Sequence, residues 1–481
     1  MDSKSRSFGE DYFGHADLGD KRRNRRMIAL ADQIARHPAG TLPHKLQDPA
    51  DLTALYRLCK RPEVTHEALM SSATNYVLRQ TDDCEGDVLI LHDSTELDYT
   101  SHKSLSELGQ IGQGAGRGYI AHHSLAVDPL RKEVVGLVGQ ILHTRETLPE
   151  GEKRAEKRGR HSRETRLWLR GTEALPNDAK LVDVCDRGAD TFEFLEHESH
   201  SGRRFVIRSG YSRRIIPGHT IRRNVAPVLL QDWIDQIDPL GGSTLKVDTT
   251  KGCRRKKRHK DGRLKHPPRQ SRTAQLLISA AAVRILAPMQ RRGVHGGDPL
   301  SLWVVRVWEP HPPAGEDPIE WRLITNVAIE SLESAKQVID WYACRWIIEE
   351  YHKALKTGCG VESLQFHSEE RLEPAIALMS VVAATLLRLR DAGRATDAKQ
   401  RLATEVIGEE YIEALSLWRH RNIRHDWSVH DFVMALGRLG GHQNRKGDGP
   451  PGWLTLWRGW AELVPRVEAV RTYKNHQSRC A

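Results

Sequence analysis

The stretch VIDWYACRWIIEEYHKALKTGCG, Val338 to Gly360, decides how the rest of the chain is read. At about 100° per residue, Tyr342, Arg345, Glu349, Lys353 and Lys356 fall within an arc of roughly 80°. Ala343, Ile347, Tyr351, Ala354 and Leu355 cover the opposite side. The spacing predicts one helix with a buried apolar face and a stripe of Tyr, Arg, Glu, Lys, Lys. Taken alone, such a stripe is what an ordinary solvated helix face presents, its i, i+4 ion pairs worth about 0.2–0.5 kcal/mol each.

Two acids upstream change that reading. VLILHDST (88–95) and AKLVDVC (179–185) are apolar strand candidates, and the sequence places Asp93 and Asp186 at their C-terminal ends. One Asp after a strand is usually a turn or cap residue. Two of them facing a helical Glu, with bases beside it, are what two-metal phosphoryl transfer needs. Hard Mg2+ takes oxygen ligands, and two ions about 3.5–4 Å apart stabilise the attacking and leaving oxygens of an in-line displacement.

The charge distribution points to the same class of substrate. The 481 residues carry a net charge of +10, with 73 Lys and Arg against 63 Asp and Glu. Eleven of those bases and a single acid, Asp261, lie in KGCRRKKRHKDGRLKHPPRQSR (251–272), and the remainder balances at 62 of each sign. A tract this dense is a polyanion-binding element. The apolar share of 39% suits a globular chain of about three domains and excludes a mostly disordered or fibrous one. Ala375–Leu387 reads as a buried core helix, interrupted by Ser380 and Thr385, and not as a membrane span. Seven cysteines stand singly, without a C-x-x-C pair, which argues for a reducing cytosol and against zinc or a disulfide framework. The N-terminus lacks the apolar core of a secretory signal.

Around this centre the chain reads as helix, then strands, then helix. Residues 1–80 are expected to be helical. Asp20 opens an amphipathic helix whose first turns, KRRNRR (21–26), oppose the macrodipole unless an anion is near, and Thr65 is an expected N-cap. HHSLAVDP (122–129) and VVGLVGQILH (134–143) read as a hairpin, and RRFVIRS (203–209) as a strand after a helix at 191–198. Short β-like runs from 210 to 320 form an insertion. Helix resumes at Ser331, and a Trp-rich helical block fills 400–481.

The spacing Tyr342-x2-Arg345-x3-Glu349-x6-Lys356 resembles the Y-x2-R-x3-E-x6-K signature of bacterial cut-and-paste insertion-sequence transposases of the DDE type. HDST (92–95), VCDRGAD (184–190), LGDKRRNRR (18–26), ALYRL (54–58) and RLGG (438–441) are similar to the same family. The resemblance implies an α/β fold: a ribonuclease-H-like core, 81–209 and 321–395, interrupted by the β-rich basic insertion 210–320. A helical end-binding domain, 1–80, and a helical dimerisation domain, 396–481, would flank it.

The resemblance also implies that Asp93, Asp186 and Glu349 hold two Mg2+ ions, with Mn2+ able to substitute. Tyr342, Arg345, Lys353, Lys356 and Arg208 would contact DNA, and Trp321 would hold a flipped base. Arg254, Arg255, Lys256, Lys257 and Arg258 would add contacts, and Arg22, Arg23 and Arg26 would serve the inverted-repeat end. His92 and Cys359 are expected to be structural. The implied partners are double-stranded DNA, as terminal inverted repeats and as target, and a second copy of the chain in the DNA complex. No membrane is implied, and the expected location is the cytoplasm, on the nucleoid when DNA is bound. The implied reaction is nicking, hairpin formation and opening, and strand transfer. A catalytically silent end-binding regulator and a sequence-nonspecific nuclease of the same fold are the alternatives.

Overall fold

The computed structural model describes residues 6–146, 162–219, 225–247, 270–289, 298–445 and 448–480. The chain forms two compact units, one built from Met1–Leu175 with Trp346–Ala481 and one from Pro176–Arg345.

The first unit opens with α1 (Phe8–Phe13), α2 (Lys21–Arg36), α3 (Leu42–Lys45), α4 (Pro49–Leu58) and α5 (His66–Asp82). Their starts are written in the sequence. Ser7 and Glu10 form a capping box, Asp20 accepts from Arg22 N at 2.6 Å, and Asp48 precedes Pro49 at the first helical position. Thr65 Oγ1 accepts from Ala68 N at 3.1 Å, as expected of that N-cap. Met27, Leu30 and Ile34 of α2 are fully buried. There follow β1 (Val88–Asp98), β2 (Gly109–Gln110), β3 (Arg117–Asp128), β4 (Glu133–His143) and α6 (Leu167–Glu173). β3 is central: it pairs antiparallel with β1 along one edge and with β4 and β2 along the other, so the expected hairpin is present.

One expectation about β1 is corrected. Asp93 does not end the strand, which continues to Asp98 with Asp98 opposite Gly118. What ends at Asp93 is the buried run Val88–His92. The polar residues beyond it stay extended because β3 supplies backbone partners through Gly118.

The second unit contains β5 (Leu181–Cys185), α7 (Phe192–Ser201), β6 (Arg204–Arg208), β7 (Arg214–Pro217), β8 (Val228–Leu229), α8 (Leu230–Ile234) and β9 (Gly241–Val247). β10 (Arg272–Ile285), β11 (Leu300–Trp308), β12 (Glu320–Thr325) and α9 (Leu332–Ala343) complete it. β5 and β6 are parallel and joined through α7, and β6, β12, β11 and β10 then pair antiparallel in that order. β7 and β9 both pair with β10. Fully buried Arg203 ties this start together, its Nε 2.8 Å from Asp183 on β5 and its Nη2 3.6 Å from Glu198 on α7.

The chain then returns to the first unit as α10 (Trp346–Lys353), α11 (Glu369–Ala392), α12 (Glu409–His420), α13 (Val429–Leu439) and α14 (Trp453–Cys480). α11 and α5 pack on β4, and α10 packs on β1. α11 is long and apolar enough to cross a membrane, yet 72% of its most apolar window is buried inside the protein, in line with a core helix.

The single helix expected over Val338–Gly360 is not continuous. α9 stops at Ala343, Cys344 and Arg345 form a turn in which Arg345 N bonds Tyr342 O at 3.0 Å, and α10 starts at Trp346. No proline or glycine marks the break; it falls where the chain passes from one unit to the other. Residues Ala354–Gly358 then wind as a π turn, which takes Lys356 out of the expected phase.

Candidate nucleic-acid and carboxylate site

In the first unit Asp93 and Glu349 are half-buried. Asp93 Oδ1 accepts from Ser94 N at 2.8 Å, and its cross-strand partner is His123. Glu349 lies in the first turn of α10, where a carboxylate suits the helix dipole. The three residues after it are each anchored. Glu350 pairs with buried Arg390, Tyr351 OH donates to Ser380 O at 3.2 Å, and His352 meets His123 at 3.2 Å. Glu350 is thereby committed to α11. Lys353 Nζ lies over the exposed Trp346 ring at 5.5 Å, and Lys356 Nζ lies 3.5 Å from Glu362.

In the second unit Asp186 follows β5 directly and caps a short turn, its Oδ1 accepting from Gly188 N at 2.8 Å. The other acid of the same turn, Asp190, is fully used. It accepts from Gly210 N at 2.6 Å and Tyr211 N at 3.0 Å and pairs with Arg213. So of the two acids in VCDRGAD, Asp190 holds the loop after β6 in place.

The same unit brings Arg208, Trp321, Tyr342 and Arg345 together. The Tyr342 and Trp321 rings meet edge to face at 5.1 Å, and the buried Tyr342 hydroxyl bonds both Arg208 and Arg345. Burial raises the Tyr342 hydroxyl pKa, and the two guanidiniums partly offset that. Arg208 is lowered by burial and by the positive charges of Arg187 and Arg345. Arg187, Arg208 and Arg345 thus share one neighbourhood with the Tyr342 hydroxyl. Arg187 was not singled out from the sequence, although it stands next to Asp186. Tyr342, expected on an open stripe, is buried at 5% exposure, with its ring packed against Trp321.

At the N-terminus Arg22, Arg23 and Arg26 of α2 line an open cavity of about 680 Å3 together with Arg57 and Arg61. Arg23 pairs with Glu63 at 2.8 Å and Arg26 with Asp51 at 2.9 Å, which relieves part of the repulsion at this basic helix start. Arg57 lies on α4 and Arg61 just beyond its end, and no spacing rule relates them to α2.

Arg254, Arg255, Lys256, Lys257 and Arg258 lie outside the described residues. Arg272, the last base of that tract, is held by Glu309 and Glu316. Among the described residues no group of three or more His, Cys, Asp or Glu forms a ready metal cluster. His92 is fully buried, 3.0 Å from Ser124 Oγ, and burial pushes the Cys359 thiol up to about 12.

Two family profiles match the chain. Residues 5–64 match the transposase DNA-binding family, which takes in Arg22, Arg23, Arg26, Arg57 and Arg61. Residues 173–386 match the transposase DDE domain, which takes in Asp186, Arg208, Trp321, Tyr342, Arg345, Glu349, Lys353 and Lys356, while Asp93 precedes it. A DNA-binding module and a DDE nuclease domain joined in one chain define its identity: the protein belongs to the insertion-sequence DDE transposases.

Proposed function

We propose that this transposase moves its element by a cut-and-paste route, with Asp93, Asp186 and Glu349 as the carboxylates that hold two Mg2+ ions, Mn2+ substituting. The donor chemistry fits. All three are carboxylates, a donor type that hard divalent ions take, and each is only half-buried. Bound divalent ions supply charge neutralisation at the phosphate and lower the pKa of the attacking oxygen. The packing of α10 on β1 supports the pairing of Glu349 with Asp93.

The chain's own side chains do the rest. Arg208, Arg345 and Tyr342 receive backbone phosphates near the cleaved bond, with Arg187 adding charge, and Lys353 and Lys356 add further contacts. Trp321 offers an indole face to an unstacked base. The arginines of the N-terminal cavity engage the inverted-repeat end, and residues 254–258 extend the phosphate contacts. Water attacks first and nicks one strand. The freed 3′-hydroxyl attacks the opposite strand to give a hairpin, a second water opens it, and the 3′-hydroxyl joins target DNA. Each step is an in-line displacement at phosphorus, so one preorganised site serves all of them.

In this reading 81–209 and 321–395 form a ribonuclease-H-like core around the insertion 210–320. Residues 1–80 bind the end and 396–481 pair two copies in the DNA complex. The protein works in the cytoplasm on the nucleoid, without a membrane partner. The observation that carries the proposal is the presence of DNA-binding and DDE matches in one chain.

The test is incubation of linear duplex carrying the element's own ends with Mg2+ or Mn2+, resolved on denaturing and native gels. Nicks and hairpins at the boundary, absent with Asp93→Ala and Asp186→Ala while end binding persists, are expected. Binding without cleavage would instead identify a silent regulator, and cleavage indifferent to the ends a general nuclease.

A further inference from the structure

The first unit contains a connected set of histidines, two of them buried, that the transposition reaction does not call on. Gln140 on β4 is its hub. The amide nitrogen donates to His123 Nε2 at 2.7 Å and to Ser380 Oγ at 2.8 Å, and its Oε1 accepts from His66 Nε2 at 3.0 Å. With Nε2 accepting, His123 carries its proton on Nδ1, and that N–H donates to His352 Nε2 at 3.2 Å. One directed chain therefore runs from α5 through β4 and β3 to α10. His123 is fully buried and His352 is 8% exposed. Burial holds the His123 ring well below the ordinary imidazole range, which keeps it in the neutral form this chain of bonds requires.

The register shows where the chain ends. His123 is the direct cross-strand partner of Asp93, so both side chains lie on the same face of the β1–β3 pair. His352 follows Glu349 by three residues, so both lie on the same face of α10, and α10 packs on β1. The helix thus meets the strand pair through His352 with His123, on the helix face that also carries Glu349 and the sheet face that also carries Asp93. The other face of the strands is held separately: Ser94 Oγ lies 3.0 Å from His122 Nδ1, and His92 Nδ1 lies 3.0 Å from Ser124 Oγ. Gly171 of α6 seals that face, since a Cβ there would come within 2.7 Å of His122 Nε2.

We infer that His123 and His352 are positioning residues that tie α10 to β3 and thereby set the placement of the Glu349 carboxylate beside Asp93. The inference rests on the reading of Asp93 and Glu349 as metal-holding carboxylates. The helix and the π turn that continues it run only from Trp346 to Gly358, a length at the margin of independent stability. The Glu350–Arg390 and Tyr351–Ser380 contacts fix it to α11, and the histidine pair alone among these three ties fixes it to the strand pair that carries Asp93.

The test compares His352→Gln with His352→Met in the full chain bound to element-end duplex. Gln and Met have similar length and helix propensity, and only Gln offers an acceptor to His123. Mn2+ occupancy is read from the electron paramagnetic resonance signal of free Mn2+, and nicking from gels. His352→Met is expected to raise the Mn2+ concentration at half-occupancy at least tenfold and to slow nicking similarly. His352→Gln should stay within threefold of the parent chain on both. Parent-like Mn2+ affinity in a folded His352→Met would overturn the inference and leave the pair as core packing. Where His352→Met fails to fold, His123→Asn decides. Its amide keeps the donor towards His352, so affinity within threefold is expected, and a larger loss overturns the tie. Asp93→Ala separates the two levels. Unchanged Mn2+ binding there overturns the carboxylate reading itself, whereas abolished binding there with His352→Met unaffected overturns only the positioning role.

Discussion

The ring edge of Tyr342 meets the indole of Trp321 at a centroid distance of 5.1 Å and an interplanar angle of 69°. Edge-to-face pairs of this kind contribute about 0.5–1.5 kcal/mol beyond area burial. Tyr342→Phe keeps that packing and removes the hydroxyl shared by Arg208 and Arg345. It should cost about 1 kcal/mol of stability by urea unfolding and weaken end-duplex binding in fluorescence anisotropy. Trp321→Ala should leave the first nick intact and slow hairpin formation at least tenfold, which time-resolved gels distinguish.

Arg203→Met should destabilise the protein severely. Arg203 is 1% exposed and faces the carboxylates of Asp183 and Glu198, both at 0%. Removing the cation leaves two buried acids together, at a cost of about 3–5 kcal/mol. Adding Asp183→Asn in the same chain should recover part of the loss, as seen in the urea midpoints.

Stability should fall on acidification from neutrality. Burial lowers the pKa of His66, and that of His122 and His123 further. In the unfolded chain these rings take up protons near pH 6.5, whereas the folded chain resists until lower pH. The unfolded state therefore binds more protons below that point. The contribution is full above about pH 6.5 and is lost progressively as pH falls towards the lowered folded values, by up to about 1.4 kcal/mol per pH unit for each ring. Asp391, which burial lifts to about 6, works the other way over the range below it. The net fall should be under way by pH 6 in urea midpoints taken at intervals from pH 8 to 5.

Arg57→Ala and Arg61→Ala should each reduce the slope of log affinity against log salt by about 0.9 for every phosphate that the variant no longer neutralises. Neutralising several bases in 254–258 should do the same. A slope unchanged in the cavity variants would show that the surface lined by Arg22, Arg23 and Arg26 does not touch DNA.

Local signals were legible where one element sufficed. Asp20 and Thr65 cap the helices they were expected to cap, Asp186 follows its strand, and the 122–143 hairpin forms in place. The break at Cys344–Arg345 was not legible, because a helical period continues through it and no breaker residue marks it. Nor was the run of β1 past Asp93, since backbone pairing with β3 keeps polar residues extended regardless of their own preference. Arg57 and Arg61, and the route from His66 through Gln140 to His352, join residues that only the tertiary fold makes neighbours. Hydrophobic periodicity carries no information about such meetings.

The division of the first unit between the two ends of the chain has a temporal consequence. Tyr99 OH donates to Val361 O across 262 residues of sequence, and Val134 N donates to Asp391 Oδ2 across 257. At about 5–20 residues per second, a ribosome needs on the order of ten seconds to a minute to make the intervening polypeptide. Throughout that interval β1, β3 and β4 have emerged without α10 and α11, the helices that cover them. The strand bearing Asp93 thus waits, partly uncovered, for the helix bearing Glu349. A nascent chain released before α10 carries the helices matched by the transposase DNA-binding family and lacks the helix that supplies Glu349 in the proposed site.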